Sequence, residues 1–169
     1  MTVLLGVAHG SKDPASQAVV EELLRRTGAL RPGLRTAAAY VDNASPSLRR
    51  ALAALAEDGV DDVVVLPVLL TPASHSKTDV AASVQVGRLA LPRMRLRYGR
   101  PLGPHPVLVD VLARRLTEAG ADPEDPVVVV AGGALDPAAN ADVAHTARLL
   151  FEGRTFPSVD IAFASTARP

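Results

Sequence analysis

The sequence predicts an α/β protein built on an open parallel sheet with helices on both faces. Short apolar runs such as Val3 to Ala8 alternate with segments whose apolar residues recur at helical spacing. Asp13-Pro14 and Ser45-Pro46 each pair a helix-capping residue with a proline suited to the first helical position. Alternating strand and helix signals imply parallel strands joined by right-handed crossovers.

The elements can be placed in order along the chain. The strands are predicted at residues 3–8, 36–41, 62–69 and 93–98. Helices are predicted from Pro14 to Gly28, from Ser45-Pro46 to Gly59, from Val80 to Leu89 after a loop at 70–79, and from about Leu108 to Gly120. The first strand is apolar throughout, which is typical of a strand buried on both faces. In the fourth, arginine alternates with apolar residues, so we expect an edge strand with one solvated face.

Composition excludes several classes of function. The formal net charge is zero, so nothing indicates nucleic acid or an anionic membrane as a partner. There is no cysteine, which excludes disulfides, thiolate metal sites and cysteine nucleophiles. The N-terminus lacks a signal-peptide pattern and no run of 18 apolar residues occurs, so we expect a cytoplasmic protein.

The chain also contains an internal repeat with an offset of 123 residues, which lays Ala8–Ala15 over Ala131–Ala138 without gaps. His9 maps to Gly132 and Asp42 to Ser165, so the second copy lacks the polar groups of the first. We therefore expect an α/β domain carrying the site at 1–120, a linker at 121–126, and an incomplete, degenerate second copy at 127–169. Such a short unit cannot bury its own apolar surface. We expect that the natural chain is longer, or that this unit docks on the first copy or on another chain, for instance in a homodimer.

Three polar groups follow successive strands: His9, Asp42 and His75. Ligands of open α/β sheets bind beyond the carboxyl ends of the strands. Neighbouring parallel strands lie about 5 Å apart, so the three groups can converge within roughly 10 Å if their strands are adjacent. Two imidazoles at this edge can share a metal ion or act as bases on one ligand.

The remaining polar residues have simpler interpretations. His105 directly precedes a helix, which favours capping or loop packing, and His145 is expected on a helix surface. Asp13 and Asp136 are expected to be helix caps. The arginines at 93, 95 and 97 are interpreted as a solvated strand face. No dinucleotide-binding or Walker motif is present, so a phosphate-binding loop is not favoured.

Four blocks of the chain carry a further signal: Ala8–Pro14, Tyr40–Leu48, Leu66–Val80 and Leu102–Pro106. Together they resemble a known family, the sirohydrochlorin chelatases of the CbiX/SirB type. The four blocks occur in order along the chain, and the internal repeat is similar to that of the long, duplicated members of the family. Asp42 and Ser45 stand where the family usually has glutamates.

The resemblance implies that the protein inserts Fe²⁺ or Co²⁺ into the tetrapyrrole sirohydrochlorin, with the metal as substrate and no organic cofactor. It implies His9 as base and metal ligand and His75 as second ligand, with Asp42 as an additional ligand or as a group that orients an imidazole. Residues proposed to bind the tetrapyrrole are Ser11, Ser45, Leu70, Thr71, Pro72, Ala73 and Ser74. The two lysines, Lys12 and Lys77, either meet substrate carboxylates or are simply solvated.

Two alternatives stay open. Iron, and hence siroheme biosynthesis, is favoured over cobalt and cobalamin biosynthesis, but both ions accept the same ligands. A protein of another class, a metal or tetrapyrrole carrier without catalytic activity, would use the same residues.

Overall fold

A computed structural model describes residues 1–71 and 74–165, and of residues 74–79 the backbone only. Strands and helices alternate as predicted. In chain order they are β1 (Thr2–Ala8), α1 (Pro14–Ala29), β2 (Arg35–Tyr40), α2 (Leu48–Glu57), β3 (Asp62–Pro67), α3 (Ser74–Ala90), β4 (Arg95–Tyr98), α4 (Pro106–Glu118), β5 (Val127–Ala131), α5 (Pro137–Gly153) and β6 (Val159–Phe163). No helix in the described ranges is long and apolar enough to cross a lipid bilayer.

The chain forms two compact units. The first consists of Met1–Leu69 and His75–Pro101, and the second of Leu70–Ser74 and Leu102–Pro169. This division differs from the predicted boundary near residue 120, because α4 packs against α5 in the second unit through Val109 and Leu150.

The first unit contains a parallel four-stranded sheet in the order β2-β1-β3-β4. β1 therefore lies between β2 and β3, and the adjacency that the predicted site requires is confirmed. Ala8 pairs with Tyr40 on one side, and Val7 pairs with Pro67 on the other. The carboxyl ends of these three strands consequently reach the same edge of the sheet.

Helices cover both faces of this sheet, as predicted. Leu5 and Val7 of β1 join α2 and α3 in the main core, where Leu52 and Val80 contact the sheet face. Gly6 points to the opposite face, because side chains alternate along a strand. There it meets α1 so closely that an added Cβ would lie 2.7 Å from a methyl group of Leu24. β1 is buried from Val3 to Ala8 except at Leu4, which is half-buried.

β4 is an edge strand with one solvated face, which confirms its prediction. Leu96 is buried, whereas Arg95 and Arg97 are exposed. Arg97 forms an ion pair with Asp62 on β3, with Nη2 2.7 Å from Oδ2. The strand begins at Arg95 rather than at residue 93, because a turn precedes it in which Met94 N–H donates to the carbonyl of Leu91.

Two predicted helix starts are wrong. α2 begins at Leu48 with Ser47 as its N-cap, and Ser45-Pro46 lies before the helix. Pro46 is instead held beside β2, since its carbonyl accepts a 2.9 Å hydrogen bond from Tyr40 N–H. α3 begins at Ser74 rather than at Val80, so much of the predicted loop at 70–79 is helical and His75 lies in the first turn of α3.

The second unit contains the parallel pair β5-β6 with α4 and α5. Asp13 and Asp136 cap α1 and α5 in the same way, each with Oδ1 accepting the N–H of the residue two positions on. The hydrogen bond from Asp42 N–H to the His9 carbonyl recurs from Ser165 N–H to Gly132. Because the same bonds recur at one offset, we propose that residues 127–169 repeat the first βαβ segment without its polar groups.

Candidate functional site

The carboxyl ends of β1 and β3 form the point where the sheet's connections diverge. From β1 the chain passes through α1 to β2 on one side, and from β3 it passes through α3 to β4 on the other. α1 and α3 lie on opposite faces of the sheet, which opens a crevice between the two strand ends. His9 directly follows β1, and His75 is the second residue of α3, the helix that follows β3. The backbone thus delivers both histidine-bearing segments to the edge where such sheets bind ligands.

The backbone at His9 is firmly anchored although its side chain is exposed. Val41 N–H donates to the Ala8 carbonyl at 3.0 Å, and Asp42 N–H donates to the His9 carbonyl at 2.9 Å. Successive carbonyls of a regular strand point to opposite sides, so two consecutive bonds to the residues that follow β2 mark a turn out of the sheet at His9. On the other side, Val68 N–H donates to the Val7 carbonyl at 2.7 Å.

The imidazole of His9 makes no hydrogen bond or ion pair with any side chain or backbone group that the structure describes. Neither ring nitrogen is engaged within the described residues. In the neutral imidazole, the nitrogen without a proton can bind a metal ion or accept a proton. The side chain of His75 lies outside the described residues. Within the described ranges, no group of three or more acidic or histidine side chains could hold a metal ion.

Gly10 allows the turn after His9. Its φ is +95°, in the region that side chains rarely adopt, and a Cβ there would lie 1.8 Å from the carbonyl oxygen of Asp42. Only glycine therefore lets the His9 loop approach the end of β2 this closely.

Asp42 lies at the same edge but is engaged locally. Its Oδ1 accepts a 2.8 Å hydrogen bond from the N–H of Asn43, whose φ is +55°. Asparagine tolerates this left-handed conformation better than most residues, and the bond to Asp42 stabilises it. In the described part of the chain, the side chains of Asp42 and His9 are not hydrogen-bonded to each other. The role of Asp42 therefore stays a prediction.

Tyr40, the last residue of β2, is buried, and its hydroxyl has no hydrogen-bond partner in the described part of the chain. Burial raises the pKa of this phenol, and the nearby Glu21 carboxylate adds to the effect. The raised pKa disfavours the phenolate, so Tyr40 is not suited to act as a base.

The predicted tetrapyrrole-binding residues are divided between the two units, and some lie outside the described residues. Ser11 is half-buried, and its Oγ accepts a 3.1 Å hydrogen bond from Asp13 N–H, which leaves the hydroxyl proton free to donate to a ligand. Lys12 and Ser45 are exposed at the same end of the first unit. Leu70 and Thr71 belong to the second unit, where Leu70 is 64% exposed. Pro72 and Ala73 lie outside the described residues, as do the side chains of Ser74 and Lys77.

The block Leu102–Pro106 has a packing role in the second unit. A Cβ on Gly103 would lie 2.1 Å from the carbonyl oxygen of Leu70, so glycine is required where these two loops touch. His105 caps α4, with Nδ1 accepting a 3.2 Å hydrogen bond from Val107 N–H. The capping prediction for His105 is confirmed, and His145 is exposed on α5 as expected.

Sequence reasoning missed Asn43 and Arg49. Asn43 could have been found, because an Asp-Asn pair directly after a strand favours a turn with a left-handed residue. Arg49 carried no such signal. It borders a cavity beside this edge, whereas the adjacent Arg50 does not, and nothing in the sequence separates the two.

The chain is similar in sequence and in fold to known proteins. A family model described as CbiX matches residues 3–119. A sirohydrochlorin cobaltochelatase from Priestia megaterium is 30% identical over all of this chain and 56% of its own length. A sirohydrochlorin ferrochelatase from the same organism is 31% identical over all of this chain and 64% of its own length. The chain thus spans less than two thirds of these relatives.

A solved structure described as SirB from Bacillus subtilis with Fe³⁺ superimposes with a TM-score of 0.89 at 25% sequence identity. The match covers 99% of this chain and 67% of that chain. The similarity extends over nearly the whole chain, and it confirms the predicted α/β fold class.

Proposed function

Because this chain belongs to the CbiX family, we propose that it is a sirohydrochlorin chelatase, which inserts a divalent metal ion into the tetrapyrrole. The observation that carries the proposal is the placement of His9 at the β1–β3 divergence, with a fixed backbone and an uncommitted imidazole. His75, in the first turn of α3, is the proposed second metal ligand.

The proposed chemistry follows from what imidazole can do. Metal insertion requires that two pyrrole N–H protons leave the macrocycle, and a neutral imidazole accepts protons near pH 7. Imidazole nitrogen is also a suitable ligand for Fe²⁺ and Co²⁺. Two protein ligands leave the remaining coordination positions open, so the ion can pass to the macrocycle nitrogens.

Further residues are proposed to position the substrate. The Ser11 hydroxyl can donate to the tetrapyrrole, and exposed Lys12 can meet one of its carboxylates. Asp42 is proposed to act on an imidazole or on the metal through the carboxylate oxygen that Asn43 does not use. The loop at 70–74 is proposed to line the macrocycle.

Iron and cobalt are both proposed substrates, with iron as the first choice. One relative named a cobaltochelatase and one named a ferrochelatase are almost equally identical to this chain, at 30% and 31%. Imidazole does not discriminate strongly between the two ions. Anaerobic insertion rates with each ion under identical conditions decide the preference.

A chelatase and a carrier differ in turnover, which gives the test. We expect that protein at one hundredth of the sirohydrochlorin concentration increases the initial rate of insertion and completes many turnovers, followed by the absorption change of the macrocycle. The rate should be proportional to protein concentration. A single burst equal to the amount of protein, followed by the uncatalysed rate, would instead identify a carrier.

A further inference from the structure

A cavity of about 390 Å³ lies at the carboxyl end of the sheet in the first unit. Its floor is apolar and buried, formed by Val7, Leu48 and Val80. Its rim is polar and includes the exposed residues Arg49 and Ser83. A pocket with an apolar base and a polar rim fits an apolar group that carries a polar substituent.

The cavity adjoins the proposed metal site. Val7 precedes His9 by two residues, which corresponds to about 7 Å along a strand. Val80 follows His75 by five residues on α3, or about 7.5 Å along the helix axis. Val41, which also borders the cavity, directly precedes Asp42.

Arg49 gives the cavity its charge. No carboxylate is among the lining residues, and Arg49 forms no ion pair or hydrogen bond with the residues that the structure describes. Ser47 also borders the cavity, and because its Oγ accepts from Arg50 N–H, its hydroxyl proton can still be donated. A guanidinium with nearby hydroxyl groups is suited to a carboxylate.

We propose that this cavity holds a carboxylate side chain of the tetrapyrrole, with Arg49 as its counter-ion; the inference rests on the proposed function. Sirohydrochlorin is an apolar macrocycle whose acetate and propionate arms extend from its periphery, whereas the metal enters at its centre. An anchor for one arm must therefore lie several ångströms to the side of the metal ligands, and the cavity borders Val7 and Val80, which are two and five residues from His9 and His75. Arg49 is thus a substrate-positioning residue.

The test compares two neighbouring arginines on α2. Arg49→Ala should raise the KM for sirohydrochlorin about five- to tenfold, the range for loss of a partly exposed charge-assisted hydrogen bond, and leave kcat within about twofold. Arg49→Lys should restore most of the affinity. Arg50→Ala is the matched control, because Arg50 has the same charge and is also exposed but does not border the cavity, and it should leave KM unchanged.

Binding of metal-free sirohydrochlorin, titrated by absorbance, provides a second readout. Arg49→Ala should weaken binding by the same factor and reduce its dependence on salt concentration. If the wild-type protein inserts metal but the Arg49→Ala and Arg50→Ala variants have equal KM and equal affinity, the cavity proposal is wrong while the proposed function stands. If the wild-type protein neither binds sirohydrochlorin nor inserts metal, the proposed function itself fails.

Discussion

Replacing His9 with alanine is expected to reduce metal insertion at least about 100-fold, because general base catalysis alone contributes a factor of this order or more. The substitution also removes a proposed metal ligand, and the exposed imidazole has no structural bond whose loss would unfold the protein. His75→Ala is expected to have a comparable effect through loss of the second ligand. The measurement is the initial insertion rate at saturating sirohydrochlorin.

His145→Ala is the matched control for both variants, because His145 is an exposed histidine on α5 in the second unit. It should retain full activity, and the thermal midpoints of all three variants should match the wild type. Full turnover in both the His9 and the His75 variants would contradict the assignment of the site.

Gly10→Ala should have the second-largest effect and should act through the backbone. The new methyl group would overlap the Asp42 carbonyl oxygen, at 1.8 Å, and alanine is disfavoured at a φ of +95°. The His9 loop must therefore move away from β2. We expect a loss of unfolding free energy of about 2–3 kcal/mol and a loss of insertion activity of more than tenfold.

Gly33→Ala is the control that separates the steric clash of a new methyl group from the cost of placing alanine at a positive φ. Gly33 also has a positive φ, +81°, but an added Cβ would meet nothing within 4 Å. This variant should cost only about 1 kcal/mol by denaturant unfolding and should keep its activity. Equal stability and equal activity of the Gly10 and Gly33 variants would show that the contact with Asp42 does not hold the His9 loop in place.

The parallel sheet was predictable because its strands are short apolar runs between clear helix signals. Asp13-Pro14 correctly marked a helix start, where Asp13 accepts the N–H of Ala15 and Pro14 is the first helical residue. Ser45-Pro46 did not, because Ser47 follows two residues later and Pro46 bonds to β2 instead. The difference depends on a tertiary hydrogen bond to Tyr40, which local sequence cannot reveal.

The site was predictable only in part. Histidines after adjacent strands indicate a site because strand order fixes where their backbones meet. The bond between Asp42 and Asn43, and the position of Arg49 rather than Arg50 beside a cavity, depend on loop conformation and helix rotation. These features are set by packing, so similar residues in sequence have different surroundings in the structure.

The most direct test of the account is a crystal structure of the full chain with Co²⁺, located by its anomalous scattering. The account predicts one ion at the carboxyl ends of β1 and β3, with a nitrogen of His9 and a nitrogen of His75 each about 2.1 Å from it. An ion bound elsewhere, or one that contacts neither imidazole, would contradict the proposal that the two histidines hold the metal together.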